Sequence, residues 1–295
     1  MQNKILLGHI FAIIVILFWG LTFVSSKVLL KDFTPIEMLF DRFLLATIAL
    51  LVFSPKALKF DSVKTEFYAA LVGFSGVTLY FVFENNALIY SNASNVCLIV
   101  STAPFFVAIL NYLLDKHQKL GKGFFVGFVI AMLGIACLSF GTISLKLNPL
   151  GDILALGSAI VWGIYNMFVV KLQRRGLSTI NITIKSFFYA VVLTLPLMYF
   201  YGYEIKLDRV FAPINILNYL FLAVLASSAG FWMWNKSIEC IGAVKTNIYI
   251  YATPVITAIG AVLLIDEKLT VYSIVGMILA ISGLVISQIK RKEKK

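Results

Sequence analysis

Apolar residues in this chain run in long unbroken blocks. From Phe11 to Phe18 every residue is apolar, with no polar alternation. Cutting the sequence at charges, prolines and polar clusters predicts ten spans, at about 5–26, 36–54, 66–86, 95–114, 123–141, 150–170, 180–201, 215–235, 245–265 and 271–289, each near the ~20 residues that cross a hydrocarbon core of about 30 Å. Backbone groups in lipid must bond within their own segment, so the blocks are read as helices. A β-barrel would show alternation over segments of about 10 residues, and these do not alternate. The links are short, leaving no room for a soluble domain. The first block follows Lys4 and superficially resembles a signal peptide. It is longer than such an apolar region and ends in Val24-Ser-Ser-Lys27, without a small-x-small cleavage site, so it reads as a retained helix.

Composition agrees. The 295 residues are 60% hydrophobic and 13% charged, and the mean hydropathy is +0.94. Soluble domains carry about 25% charge; a surface this poor in charge has to face lipid. The net charge of +11 is placed as an orientation signal. With the N-terminus in the cytoplasm, 17 of the 25 Lys and Arg fall in cytoplasmic segments. Six are external (Lys27, Lys31, Lys146, Lys206, Arg209, Lys268), and Arg42 and Lys185 lie inside spans. That bias predicts two cytoplasmic termini in a bacterial inner membrane. The basic tail Lys290–Lys295 then reads as an orientation signal with an anionic-lipid contact, and nucleic acid is not expected as a partner. Cys97, Cys137 and Cys240 sit in or beside spans, with neither disulfide framework nor metal spacing, and read as packing residues.

The chain repeats itself. Trp19-Gly20 recurs as Trp162-Gly163 after 143 residues, and the same offset sets Arg42 opposite Lys185. At an offset of 150, Ala93, Pro104 and Ala108 match Ala243, Pro254 and Ala258. One gap later, Leu120, Val126, Gly127, Ala131 and Gly134 match Leu269, Val275, Gly276, Ala280 and Gly283. Five spans per copy is an odd number, so the second copy enters the membrane in the opposite direction. The expected fold is an all-α integral membrane protein, with ten transmembrane helices arranged as two inverted five-helix repeats, residues 1–146 and 147–295. Inverted repeats are a construction rule of secondary transporters.

Particular stretches carry a family resemblance. They are Phe18-Trp-Gly-Leu-Thr-Phe-Val-Ser-Ser-Lys27 followed by Pro35 and Arg42-Phe43; Ala87-Leu-Ile-Tyr-Ser-Asn-Ala-Ser-Asn-Val96 leading to Ala103-Pro104; and Ala252-Thr-Pro254 followed by Asp266-Glu-Lys-Leu269 and Gly276 with Gly283. The chain resembles EamA-type members of the drug/metabolite transporter superfamily over essentially its whole length. The resemblance implies ten helices in two repeats and, for many members, export of amino acids, metabolites or toxic compounds. The family often has Gly-Glu after the fourth span; here Asp115-Lys-His117 stands there, while the second repeat keeps Glu267.

Ionisable residues inside spans mark cavities or partners. Arg42, with Asp41 beside it, lies about two turns into the second helix, and Glu84 sits at similar depth in the third. Arg42 with Glu84 or Asp41 is expected to form a charge cluster at the outer mouth, with Lys185 flanking the opposite one, as gating ion pairs or as attraction for an anionic group. The competing role for Arg42 and Lys185 is snorkelling to headgroups. Trp19 and Trp162 lie deep in their helices rather than in an interfacial belt. With Tyr80, Tyr165, Asn166, Trp232 and Tyr249 they are candidates to line a substrate cavity; ordinary helix packing is the alternative. Pro104 and Pro254, each near mid-span, are candidate hinges or structural kinks. Gly127/Ala131/Gly134 and Gly276/Ala280/Gly283 make small-residue faces for close packing within the chain or across a dimer.

Neither His9 nor His117 has a ligand companion, and no His-Glu-x-x-His, Gly-x-Ser-x-Gly or Walker sequence is present. No enzyme activity, cofactor or metal is implied, and coupling would come from ion gradients, with Glu84 a candidate proton carrier. The expected partners are a small-molecule substrate and the bilayer, for a monomer or a dimer. The reading is a secondary transporter, exporting small metabolites or amino acids by alternating access. The alternative is a non-transporting receptor or intramembrane enzyme.

Overall fold

The computed structural model describes residues 2–114, 122–141, 149–201, 203, 207–266, 268 and 270–288. Over these residues the chain is helical, with no strand. The helices are α1 (Gln2–Leu29), α2 (Pro35–Phe53), α3 (Val63–Tyr90), α4 (Ala93–Leu113), α5 (Lys122–Gly141), α6 (Pro149–Arg174), α7 (Thr179–Tyr201), α8 (Pro213–Ile241), α9 (Ala243–Ile265) and α10 (Val271–Gln288), with one helical turn at Leu207–Val210. Among the described residues seven of these, α1, α3, α4, α6, α7, α8 and α9, are long and apolar enough to cross a membrane. The other three of the ten expected spans, α2, α5 and α10, are helices outside that group of seven. Helix α2 has the length but holds Glu37, Asp41 and Arg42. Helices α5 and α10 are apolar and run 20 and 18 residues. The turns at Asp115–His117 and Glu267, and the tail Lys290–Lys295, lie outside the described residues.

Side-chain contacts fix which helix ends lie together. The start of α1 meets the end of α8, where a Cβ on Gly8 would lie 2.8 Å from the Cβ of Cys240. The end of α8 meets the start of α7 through Glu239 and Thr179. This is called the lower end. At the opposite, upper end, Ser25 donates to Asn218 (2.5 Å) and Asn215 donates to the Asp32 carboxylate (2.8 Å).

Local chemistry sets where α2 begins, and so the depth of Arg42. Pro35 occupies the first turn, where its missing N–H is no loss. Thr34 and Glu37 form a reciprocal capping box: Glu37 N donates to Thr34 Oγ1 (3.3 Å), and Thr34 N donates to Glu37 Oε2 (2.7 Å). Arg42 is thereby held two turns into the bundle. Beneath it the core is aromatic: Phe43 meets Phe81 and Phe187 at 4.9 Å between centroids, and Phe187 meets Phe231 at 5.2 Å. Cys97 is buried and accepts from the Thr257 hydroxyl at 3.0 Å.

The long helices are not regular. Helix α3 carries a π-helical segment, Phe74–Leu79, and α8 carries another, Phe221–Ala229. Adding 150 to the first gives 224–229, so the two bulges fall at repeat-related places. Helix α4 breaks at Ser101–Thr102, just before Pro104, and α9 passes through a 3₁₀ turn, Tyr249–Ala252, just before Pro254. Each proline opens a new helical segment, where the hydrogen bond it cannot make is not required.

Helix α5 lies along α10 with backbone against backbone. A Cβ on Gly134 would stand 2.6 Å from Ala280 N and 2.8 Å from Gly276 O; one on Gly283 would stand 2.5 Å from Gly127 O and against Ala131 N. The contact is reciprocal, since Gly134 and Gly283 are repeat counterparts that each seat on the other's partners. It is also antiparallel, because the later residue of α5 meets the earlier residues of α10.

Candidate functional site

Between the helices lies a cavity lined from both halves of the chain. Its walls include Trp19, Phe81, Val100 and Ala103 from the first half and Trp162, Phe231, Ile250 and Thr253 from the second. These eight are four repeat-related pairs: Trp19/Trp162 at an offset of 143, and Phe81/Phe231, Val100/Ile250 and Ala103/Thr253 at 150. The Trp19 and Trp162 rings meet edge-on, 5.3 Å between centroids at 84°. The remaining wall residues, Thr22, Phe23, Arg42, Tyr80, Glu84 and Ser101, all come from the first half. The apolar frame is symmetric and the charge is not.

The aromatic walls are held by hydrogen bonds. Trp19 Nε1 donates to Ala226 O at 2.9 Å, inside the α8 π-segment; a π-bulge frees backbone carbonyls of this kind. Trp162 Nε1 donates to Asn247 Oδ1 (2.9 Å), Asn247 Nδ2 donates to Asn166 Oδ1 (2.9 Å), and Asn166 Nδ2 donates to Trp162 O (2.8 Å). The ring of three bonds fixes Trp162.

The two charged wall residues are differently served. Arg42 is 2% exposed. Its Nε donates to Ser227 Oγ at 2.7 Å, and its guanidinium carbon stands 4.4 Å from the Phe81 centroid and 5.2 Å from that of Phe43. Its Nη1 has no hydrogen-bond partner. Glu84 is 1% exposed, and its Oε1 is likewise unpartnered. Tyr80, one turn earlier, interacts with the Glu84 carboxylate. Thr253 Oγ1, on a residue 4% exposed, is a third orphan in the same walls. Buried polar groups are nearly always satisfied, so three orphans around one cavity need an explanation.

The other candidates lie elsewhere. Asp41 is not part of an Arg42 cluster: it accepts from Tyr203 OH (2.9 Å) and Tyr219 OH (3.3 Å) at the upper end. Burial, with the Asp41 carboxylate beside it, raises the Tyr203 phenol above its ordinary range. Lys185 is buried at the lower end, where it takes Asp61 Oδ2 (2.9 Å), Glu66 Oε1 and Lys59 O (2.7 Å), while Tyr189 OH donates to Glu66 Oε2 (2.8 Å). These clusters mirror each other. Each ties the linker after the second helix of one half to the second helix of the other half. Tyr165 stacks on Trp162 (4.7 Å, 23°) and donates to Asn235 Oδ1 (2.6 Å), behind the wall. Trp232 packs on Phe11, and Tyr249 OH shares a 2.7 Å hydrogen bond with His9 Nδ1. Phe231, Thr253 and Ser227 escaped the sequence reading. Phe231 had a signal, as the repeat counterpart of Phe81; the other two needed the backbone.

Apolar helices long enough to span a bilayer, packed around a buried cavity with charge on one side, define a multi-pass membrane protein of the transporter class. The chain belongs to the EamA-like transporter family, whose model matches residues 6–140 and again 149–288. An uncharacterized transporter of Archaeoglobus fulgidus is 25% identical over 288 residues, covering 97% of this chain and 98% of that one. A protein of Escherichia coli named a probable amino-acid metabolite efflux pump is 24% identical over 288 residues, covering 94% and 93%. One crystal structure shares the fold, with a TM-score of 0.70 at 15% identity over 98% of this chain and 97% of that one.

Proposed function

We propose that this protein is a secondary transporter of the bacterial inner membrane, exporting small metabolites of the amino-acid class by alternating access. Two inverted five-helix units, α1–α5 and α6–α10, move against each other around the cavity. The observation that carries this reading is the cavity's construction from four repeat-related pairs, as expected of a site shared by two related halves. The reciprocal, antiparallel contact of α5 with α10 supports inversion, because an axis along the membrane normal would leave counterpart helices parallel. The lower cluster around Lys185 and the upper cluster around Asp41 are the two gates, each breaking when its end opens. Pro104 and Pro254, at the paired breaks, are the hinges. The charge bias in the links puts the lower end in the cytoplasm. The Escherichia coli relative's name supports outward movement of a metabolite.

Counterflow in proteoliposomes tests the function. Purified protein, loaded with each member of a broad panel of amino acids and metabolites, is expected to give saturable exchange for a subset. Absence of flux across the whole panel favours the receptor or intramembrane-enzyme reading instead.

A further inference from the structure

At the lower end the start of α3 packs on the end of α6, one helix from each half of the chain. There Lys64 and Tyr68 of α3 and Phe168, Lys171 and Arg175 of α6 make a basic, aromatic cleft. We infer that this cleft binds the headgroup of an anionic phospholipid, with its phosphate on Lys171 and Arg175, Lys64 beside them, and its acyl chains along Phe67. The site is separate from the cavity and from both latches, and it does not depend on the transporter reading.

Residue spacing sets the two sides of the cleft. Lys64 and Tyr68 are four residues apart and share a face of α3, while Phe168, Lys171 and Arg175, at i, i+3 and i+7, share a face of α6. The two faces meet: the Tyr68 and Phe168 rings lie 5.8 Å apart between centroids, and Arg175 Nε donates to Thr65 Oγ1 at 3.3 Å. Lys171 Nζ stands 5.0 Å from the Phe168 centroid and 5.6 Å from that of Tyr68. The Arg175 guanidinium carbon stands 6.0 Å from the Tyr68 centroid. Two cations thus share one aromatic floor, which attracts each electrostatically and leaves most of their N–H groups for an anion.

Charge balance decides the partner. Among the described residues none of Lys64, Lys171 and Arg175 takes part in an ion pair, and the acids near the start of α3, Asp61 and Glu66, are taken by Lys185. Like charges four residues apart on a helix repel, so Lys171 and Arg175 favour an anion between them. A helix C-terminus also attracts cations. Here, though, backbone N–H groups already close the last turn of α6: Arg175 N donates to Lys171 O (3.2 Å), Gly176 N to Gln173 O (3.0 Å) and Leu177 N to Leu172 O (3.3 Å). The floor under the cations comes in part from the other helix. The cleft lies at the ends of two spans, at headgroup level, where basic pockets between helices hold anionic headgroups. Val63 and Phe67 beside it are exposed and offer apolar surface to acyl chains. Three cations without an acid repel the ammonium of a zwitterionic headgroup, which selects an anionic one.

The test uses the full chain in an uncharged detergent and counts bound lipid by native mass spectrometry, with no transport required. Phosphatidylglycerol is titrated against phosphatidylcholine of the same acyl chains, with inorganic phosphate and glycerol 3-phosphate as soluble competitors. Phosphatidylglycerol is expected to bind tighter than phosphatidylcholine by at least about 10-fold, and each cation near the headgroup contributes about fivefold. Lys171→Gln with Arg175→Gln should therefore weaken phosphatidylglycerol by about 30-fold and leave phosphatidylcholine unchanged. Lys245→Gln removes an exposed charge at the same end, outside the cleft, and should change little. Equal binding of the two lipids overturns the inference, and this wild-type comparison stands even where the double variant folds poorly. A double variant that keeps the preference overturns it too, as does a loss in Lys245→Gln as large as that of the double variant. Displacement of the lipid by an equal concentration of either soluble anion would assign the cleft to a soluble phosphate and overturn the lipid.

Discussion

Gly134 and Gly283 hold α5 and α10 at backbone contact, so Gly134→Ala is a sharp perturbation. The added Cβ would stand 2.6 Å from Ala280 N and 2.8 Å from Gly276 O. Both obstacles are backbone and cannot rotate away, so the helices must part by most of an ångström. Over-packing of this kind costs about 1–3 kcal/mol. The gain from replacing a helical glycine by alanine is about 0.5–1 kcal/mol, so the net is up to about 2.5 kcal/mol of destabilisation. Gly283→Ala should behave alike. Once α5 has moved for the first methyl the second needs less, so the double variant should lose less than the two single losses combined. Gly260→Ala is the control: its new Cβ would meet Leu21 Cδ2 at 2.9 Å, the tip of a flexible side chain, and the change should be near neutral. The assay is reversible unfolding in mixed micelles followed by circular dichroism. Equal losses at Gly134 and Gly260, or strict additivity of the pair, would refute the argument.

Three further outcomes are expected. Asn247→Leu breaks the ring that holds Trp162 and leaves polar atoms unpaired. It should destabilise the protein by about 1–3 kcal/mol and weaken ligand quenching of tryptophan fluorescence in titration. Gly76→Ala drives a Cβ into the Tyr165 ring, 2.8 Å from its Cβ, and should abolish counterflow while the protein still inserts and purifies. The lower latch is ionic, and the Asp61 side chain is 44% exposed, whereas Tyr203 joins the upper one as a neutral phenol. Raising salt to about 1 M should therefore loosen the lower end and not the upper, as read by limited proteolysis of the 54–62 linker against that near 207–212. The Tyr203 hydroxyl is raised in the folded state, so its contribution is present below the unfolded phenol pKa of about 10 and lost only above it. The upper latch should accordingly hold through pH 9.

Much of this was legible because hydropathy and repetition are written in residue type. The blocks of apolar residues, the Trp19/Trp162 register and the in-span charges Arg42 and Glu84 need no backbone to be seen. What failed depends on angle and register. Trp232 is a lining candidate by residue type, yet one residue is a 100° turn, and Phe231 is the one that faces the cavity. Tyr165 and Asn166 share a face with Trp162, but their polar atoms are consumed by Asn235, Asn247 and the Trp162 carbonyl. Phe74–Leu79 reads as ordinary helix; its π-helical register is a backbone state invisible to composition. Asp41 and Arg42 are adjacent in sequence and so point to different sides, one to the tyrosines and one to the cavity.

The central claim, one cavity opened alternately from two ends, is tested most directly by thiol access. Ser101 is buried in the cavity wall. In a Ser101→Cys background, labelling by a membrane-impermeant reagent is measured from each side of the membrane. Lys185→Met strips the lower latch of its cation. Asp61 is partly solvated, and Glu66 keeps the Asp61 N–H and Tyr189 as donors, so the loss is about 2 kcal/mol rather than the 3–5 of a fully buried pair. That shifts the equilibrium about 30-fold. Labelling from the lower side should rise and labelling from the upper side fall, and Tyr203→Phe with Tyr219→Phe should do the opposite. Rates that rise together from both sides, or that do not move, would contradict alternating access.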